Sequence, residues 1–199
     1  MQNTNPSWNT FKSLIVTAEL PDLGPTPRAG RLPLAELNRK LDDFIQATQL
    51  ALALESLVRS AALLWHDYLD ESHTISQSIQ NAEGSFLHAI MHRREQDYGN
   101  AKYWFRRVGP HASFGPIASQ TQRFLEVKGQ RELGSKLIPR DQWDSFAFVD
   151  ACAATAQRPP ADPTAQILRS IQEIEFTALL SHIFSTDSGY GILGVIAGS

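Results

Sequence analysis

From Pro33 onward, Leu34, Leu37, Leu41, Phe44 and Ile45 recur at spacings of three and four. That is the period of an amphipathic helix, which opens with proline in its first turn and runs to about Thr48. Residues 50–65 are apolar or alanine nearly all round, which predicts a helix packed on several sides and placed centrally. Shorter helical segments follow at 71–80, 85–95 and 98–108, separated by turns at 67–68, 81–84 and 96–97. Gly109-Pro110 stops the third of them. Residues 117–127 continue the helical pattern, whereas 128–140, with two glycines and a proline, read as a connecting loop. Asp144 is placed to cap a helix carrying Phe146, Val149 and Cys152. Asp162-Pro163 opens a final helix carrying Ile167, Ile171, Ile174, Leu179 and Ile183. No segment alternates with a two-residue period between turn signals, so the predicted class is all-α.

Upstream of Pro33 the pattern breaks down. Residues 1–32 contain Pro6, Pro21, Pro25 and Pro27 with Gly24 and Gly30. They read as an irregular arm with one short extended or helical piece at 8–16. The arm is expected to cover a groove or to swap onto a second subunit. Residues 33–185 then form a single helical domain, in which 158–161 make a rigid exposed link, and 186–199 form a C-terminal tail. The tail is apolar but glycine-rich, and is read as either a strap across the core or a disordered end. A chain of 199 residues fits one domain, burying roughly 70% of the surface its unfolded form exposes.

Hydrophobic residues at 42% and charged residues at 20% match an ordinary globular chain. The formal net charge of −3 and the pI near 6.1 argue against general nucleic-acid binding, which leaves a strongly basic footprint. No run reaches the 18 or so apolar residues a membrane span needs, and the N-terminus lacks the basic and apolar regions of a signal peptide. A cytoplasmic location without membrane contact is expected. Cys152 is the single cysteine, which excludes an internal disulfide and fits a reducing compartment. On an apolar helix it reads as a packing residue rather than as a nucleophile served by the distant His182.

Two stretches align at an offset of 30. Residues 65–73, with Asp67-Tyr68, match residues 95–103, with Asp97-Tyr98, each placing Asp-Tyr where one helix ends and the next begins. Residues 86–109 resemble a tetratricopeptide repeat: Asp97-Tyr98-Gly99-Asn100-Ala101 is similar to that family's inter-helix turn, and Trp104-Phe105 occupy its aromatic positions. The earlier unit, about 58–80, departs from it, with Glu71 in place of the small alanine and a spacing shorter than 34 residues. The architecture expected is a short tetratricopeptide-like stack of helical hairpins or an irregular helical bundle. His88-Ala89-Ile90-Met91-His92-Arg93-Arg94-Glu95, with the following stretch to Gly109, also resembles the signature of an uncharacterised α-helical family of bacterial and fungal proteins. Trp65-His66-Asp67 before it and Gln172-Glu173-Ile174-Glu175-Phe176 after it match that family too. The resemblance implies a domain boundary and no activity.

Two kinds of chemistry are written into this region. Five histidines, His66, His73, His88, His92 and His111, fall within 46 residues, and His88 and His92 lie four apart on one helix face, a spacing at which two imidazoles reach one ion. His66, His73, His88 and His92 are the candidate ligands of a divalent transition metal, with Glu95 or Asp67 nearby. The pair lacks the glutamate of a zinc peptidase. Arg93, Arg94, Lys102, Arg106 and Arg107 share a hairpin with Tyr103 and Trp104, a set suited to a carboxylate or phosphate. The leading functional expectation is therefore an interaction module that binds a protein segment or a small anionic ligand through His88, His92, Arg93, Lys102, Tyr103 and Arg106. The alternative is a metal-dependent enzyme, a hydrolase or a non-haem iron protein, built on the histidine cluster. Oligomeric state has no signature in the chain.

Overall fold

The computed structural model describes residues 6–159 and 161–187. Within them the protein is all-α, without a strand. Ten helices follow in order: α1 (Pro6–Ile15), α2 (Leu34–Thr48), α3 (Leu52–Trp65), α4 (Leu69–Ser76), α5 (Ala82–Arg94), α6 (Tyr98–Val108), α7 (Phe114–Val127), α8 (Arg131–Leu137), α9 (Ser145–Thr155) and α10 (Pro163–Asp187). None of them is long and apolar enough to cross a membrane. α10 runs two residues past the expected domain end at 185, and the rest of the tail, 188–199, lies outside the described residues, as does Pro160 in the 158–161 link.

Side-chain caps set several of the helix starts. Asn81 accepts from the Gly84 N–H at 2.8 Å, and Asp97 accepts from the Asn100 N–H at 3.1 Å. Asp144 takes the N–H groups of Phe146 and Ala147, and Asp162 those of Thr164 and Ala165. Each removes an amide donor that the first turn leaves without a partner.

Three helix pairs, α3 with α4, α5 with α6 and α7 with α8, are joined by the same three-residue turn. Its middle residue adopts the left-handed conformation: Asp67 at φ 63°, Gln96 at φ 65° and Gly129 at φ 68°. In each turn the last amide reaches back five residues, Tyr68 to Leu63, Asp97 to His92 and Gln130 to Leu125, closing the helix end as a Schellman motif does. The structural register of the first two pairs is therefore 29 residues, with Asp67 opposite Gln96, one residue short of the offset at which the Asp-Tyr pairs align in sequence. The third turn falls where a loop was expected. Gly129 supplies the turn, and α8 proceeds through Gly134.

The most enclosed helix is α5 rather than α3. Every residue from Gly84 to Arg94 is buried. Antiparallel α6 lies along it, with the Phe86 and Phe105 rings 5.3 Å apart and His88 stacked on Trp104 at 3.9 Å. On another side α4 packs against it. Next to α10, Phe11 of α1 meets Phe44 of α2 and Phe184 at 5.6 and 5.3 Å, so the N-terminal segment begins as part of the core. Truncating such a fully buried ring costs roughly 3–5 kcal/mol.

Buried ion pairs tie the irregular residues after α1 to this frame. Arg94 donates to Asp67 Oδ1 at 2.6 Å and to the carbonyls of Leu64 and Asp22. Arg28 donates to Asp67 Oδ2 through both its backbone N–H, at 2.9 Å, and its Nε, at 2.8 Å, and reaches the Trp65 carbonyl. Burial pushes the Asp67 carboxyl up, but Arg94 and Arg28 outweigh it and hold it below the ordinary value. Nearby, Arg93 makes a two-pronged pair with Glu175 at 2.5 and 3.1 Å, beneath the Phe148 ring. Trp65 packs on Phe176 at 5.0 Å. The segments 65–67, 88–95 and 172–176 thus meet in one buried polar core.

Candidate metal centre

His73 on α4 and His88 and His92 on α5 converge where the two helices pack. One ring nitrogen from each lies within 4.8 Å of the others. His88 is held between near-parallel rings, Trp104 at 3.9 Å and His92 at 4.7 Å. His73 stands edge-on to His92, with ring centroids 5.2 Å apart. His88 is only 2% exposed, and neither of its ring nitrogens has a hydrogen-bond partner. A neutral imidazole always carries one N–H donor and one acceptor, and leaving both unmet in the interior costs on the order of 1–3 kcal/mol for each group.

His92 is oriented differently. Its Nδ1 lies 3.2 Å from Glu95 Oε2, one turn along the chain, within ion-pair reach but without hydrogen-bond geometry. An imidazole that faces a carboxylate through one nitrogen and an ion through the other is the usual supporting arrangement around bound metals. Burial, followed by His92 and His73, pushes the His88 pKa down to about 4. Burial also lowers that of His92, although Glu95 opposes it. Both rings are therefore neutral at pH 7, the form that binds a metal. Tetrahedral coordination with bonds of 2.0–2.1 Å places ligand nitrogens about 3.3 Å apart. An ion would draw the three rings inward and splay His92 from its stack on His88. Half-buried His73 is the member nearest solvent.

The other residues singled out from sequence are placed elsewhere. His66 is not part of the cluster: it ends α3, and its Nδ1 accepts from the Leu32 N–H at 3.3 Å. It stands before the turn through Asp67 that leads into α4, whereas His73 lies within α4 against α5. Arg93 is fully buried against Glu175, so it cannot form part of a ligand-binding surface. Lys102 pairs with Asp150 at 2.6 Å, and Arg106 lies over the Phe146 ring at 5.3 Å, both linking α6 to α9. Tyr103 is 48% exposed. His88 and His92 face the interior, so the six residues do not make one face. Burial pushes the Cys152 thiol up to about 12, which removes it as a nucleophile.

Sequence reasoning missed a second gathering, Glu83, His111 and His182. These come from three elements far apart in the chain, and no local spacing announces them. No family model, curated protein or solved structure matches the chain.

Proposed function

We propose that this protein binds a divalent transition metal through His73, His88 and His92, with Glu95 steadying His92. The observation that carries this reading is His88, a buried imidazole with both nitrogens unpartnered beside two further imidazoles. Three imidazole ligands suit zinc, iron, copper or nickel better than calcium or magnesium, which prefer oxygen. They leave a fourth tetrahedral position for water, and a metal-bound water is acidic enough to attack a carbonyl or phosphoryl group near neutral pH. The reaction class that this centre fits is metal-assisted hydrolysis, with Glu95 as the carboxylate nearest the ligands.

The test is calorimetric titration of metal-free protein with Zn²⁺, alongside thermal melting. An ion at 100 times its dissociation constant stabilises by about 2.7 kcal/mol, which raises the melting temperature by roughly 5–11 °C for a chain of this size. A chelator should reverse the shift, and His73→Ala should diminish it. Unchanged melting with excess Zn²⁺, or a shift that His73→Ala leaves undiminished, refutes the assignment.

A further inference from the structure

The second cluster lies at the opposite end of α5 from Glu95. Glu83 stands in the first turn of α5, His111 in the α6–α7 connection, and His182 on α10. His182 Nε2 is 3.3 Å from Glu83 Oε1, and His111 Nε2 is 3.7 Å from the same oxygen. The His111 side chain is 2% exposed, and its Nε2 has no hydrogen-bond partner. At 3.7 Å it is too far from Glu83 for a hydrogen bond. Separations of 3.3 and 3.7 Å lie near the roughly 3.0–3.5 Å between two ligands of one ion with bonds of 2.0–2.2 Å. The other His111 nitrogen, Nδ1, lies 2.7 Å from Ser113 Oγ. The Ser113 backbone N–H donates to the same nitrogen at 3.2 Å, so Nε2 carries the ring hydrogen and points it into the cluster without closing a bond. A cation bound at Nε2 would move that hydrogen to Nδ1, where Ser113 Oγ at 2.7 Å can accept it as the supporting contact of a metal-bound histidine.

His182 also lines a groove of about 1170 Å³ formed by α1, α7 and α10. Lys12 and Arg123 line the same groove, no carboxylate does, and buried Trp8 forms part of its wall. Neither cation stands within salt-bridge distance of a carboxylate among the described residues. We propose that Glu83, His111 and His182 form a second divalent-metal site, separate from the three-histidine cluster, whose open positions face this groove and take the anionic oxygen of a small ligand. Two imidazoles and one carboxylate leave an ion at least one exchangeable position, and the groove's positive lining favours an anion there.

The experiment uses His88→Leu protein, which lacks the first site, titrated with Co²⁺ and followed by visible absorption and calorimetry. One bound ion is expected, lost in His88→Leu/His182→Asn and in His88→Leu/Glu83→Gln. Circular dichroism checks that each variant remains folded, and half-buried His182 supplies the milder change. Acetate and inorganic phosphate, added separately to the cobalt form, should change the spectrum, and Arg123→Ala should weaken the response. A response to acetate alone identifies a carboxylate ligand, and a response to phosphate alone a phosphate. Absence of cobalt from folded His88→Leu protein, cobalt binding indifferent to His182→Asn, or a spectrum unmoved by both anions overturns the proposal. Wild-type protein binding one ion and His88→Leu none would leave the first site standing and remove this one.

Discussion

Arg94 donates to Asp67 across 2.6 Å with both side chains all but excluded from solvent, and the contact joins the end of α5 to the turn between α3 and α4. Because Arg28 holds the other carboxylate oxygen at 2.8 Å, two guanidinium groups depend on one acid. Replacing Asp67 with Asn keeps a residue that tolerates the left-handed conformation at φ 63°, so the change isolates the charge. Asp67→Asn should cost about 3–5 kcal/mol, the usual result of stranding a buried charge, measured as a lower urea midpoint with an unchanged slope.

Arg93 and Glu175 call for a different comparison. Glu175→Gln alone should destabilise by a similar amount, about 3–5 kcal/mol. The double change Arg93→Met/Glu175→Leu removes both desolvation costs and should recover most of that loss. A double-mutant cycle in urea measures the difference. A double variant no more stable than the single would assign these residues a role beyond charge pairing.

Removing the His88 imidazole should stabilise the metal-free protein. His88→Leu replaces two unmet polar groups with an apolar side chain of similar size under Trp104, and a gain of about 1–2 kcal/mol is expected in chelator. The same variant should show a diminished Zn²⁺-dependent shift in melting temperature. A loss of stability in chelator would mean that the imidazole has partners in the folded metal-free protein.

Stability should also fall with acid once pH drops below 6.5, through a buried histidine. Burial, followed by Arg28, pushes the His66 pKa from 6.5 to about 4. The unfolded chain therefore takes up a proton first. Stability from this group is complete above pH 6.5, declines as pH falls to about 4, and is level below that. The slope contributed by a single group approaches about 1.4 kcal/mol per pH unit. Urea titrations of wild-type and His66→Asn protein between pH 7 and 4 should differ by this slope.

Gly84 is needed for space rather than for its backbone angle. A Cβ there would lie 2.5 Å from the Cβ and Cγ2 of Ile79 and 2.7 Å from its carbonyl oxygen. Gly84→Ala gains about 1 kcal/mol in helix propensity, yet the overlap should leave it less stable by about 1–3 kcal/mol. It should also displace the start of α5 relative to α4, weakening metal binding by His73 and His88 together. Adding Ile79→Ala should restore part of the stability in the same melts.

The course of the helices was legible because their signals are local. The 3.6-residue period marked α2, Tyr98 to Val108 was read without error as α6, and Asp144 and Asp162 cap where their side chains suggested. α8 was missed because Gly129 and Gly134 were read as breakers, when only Gly129 takes a positive φ. The enclosure of α5 was hidden because four of its buried positions are His88, His92, Arg93 and Arg94, and a pattern search counts charged residues as exposed. The His88–His92 pair could be read from spacing alone. The choice between His73 and His66 as the third member depends on how α4 packs against α5, which no local pattern encodes.

The N-terminal segment has a consequence for how the chain is made. Phe11 and Trp8 rest on Phe184, and the carbonyls of Pro21 and Asp22 accept from Gln172, 151 and 150 residues further on. At 5–20 residues per second, translation delivers that partner roughly 8–30 s after the segment itself has emerged. During that interval Phe184 is absent, and α1 has Phe44 of α2 as the ring against which Phe11 can pack. The seating of α1 is in that sense a late event: its contacts with α10 close only after at least 150 further residues have been made.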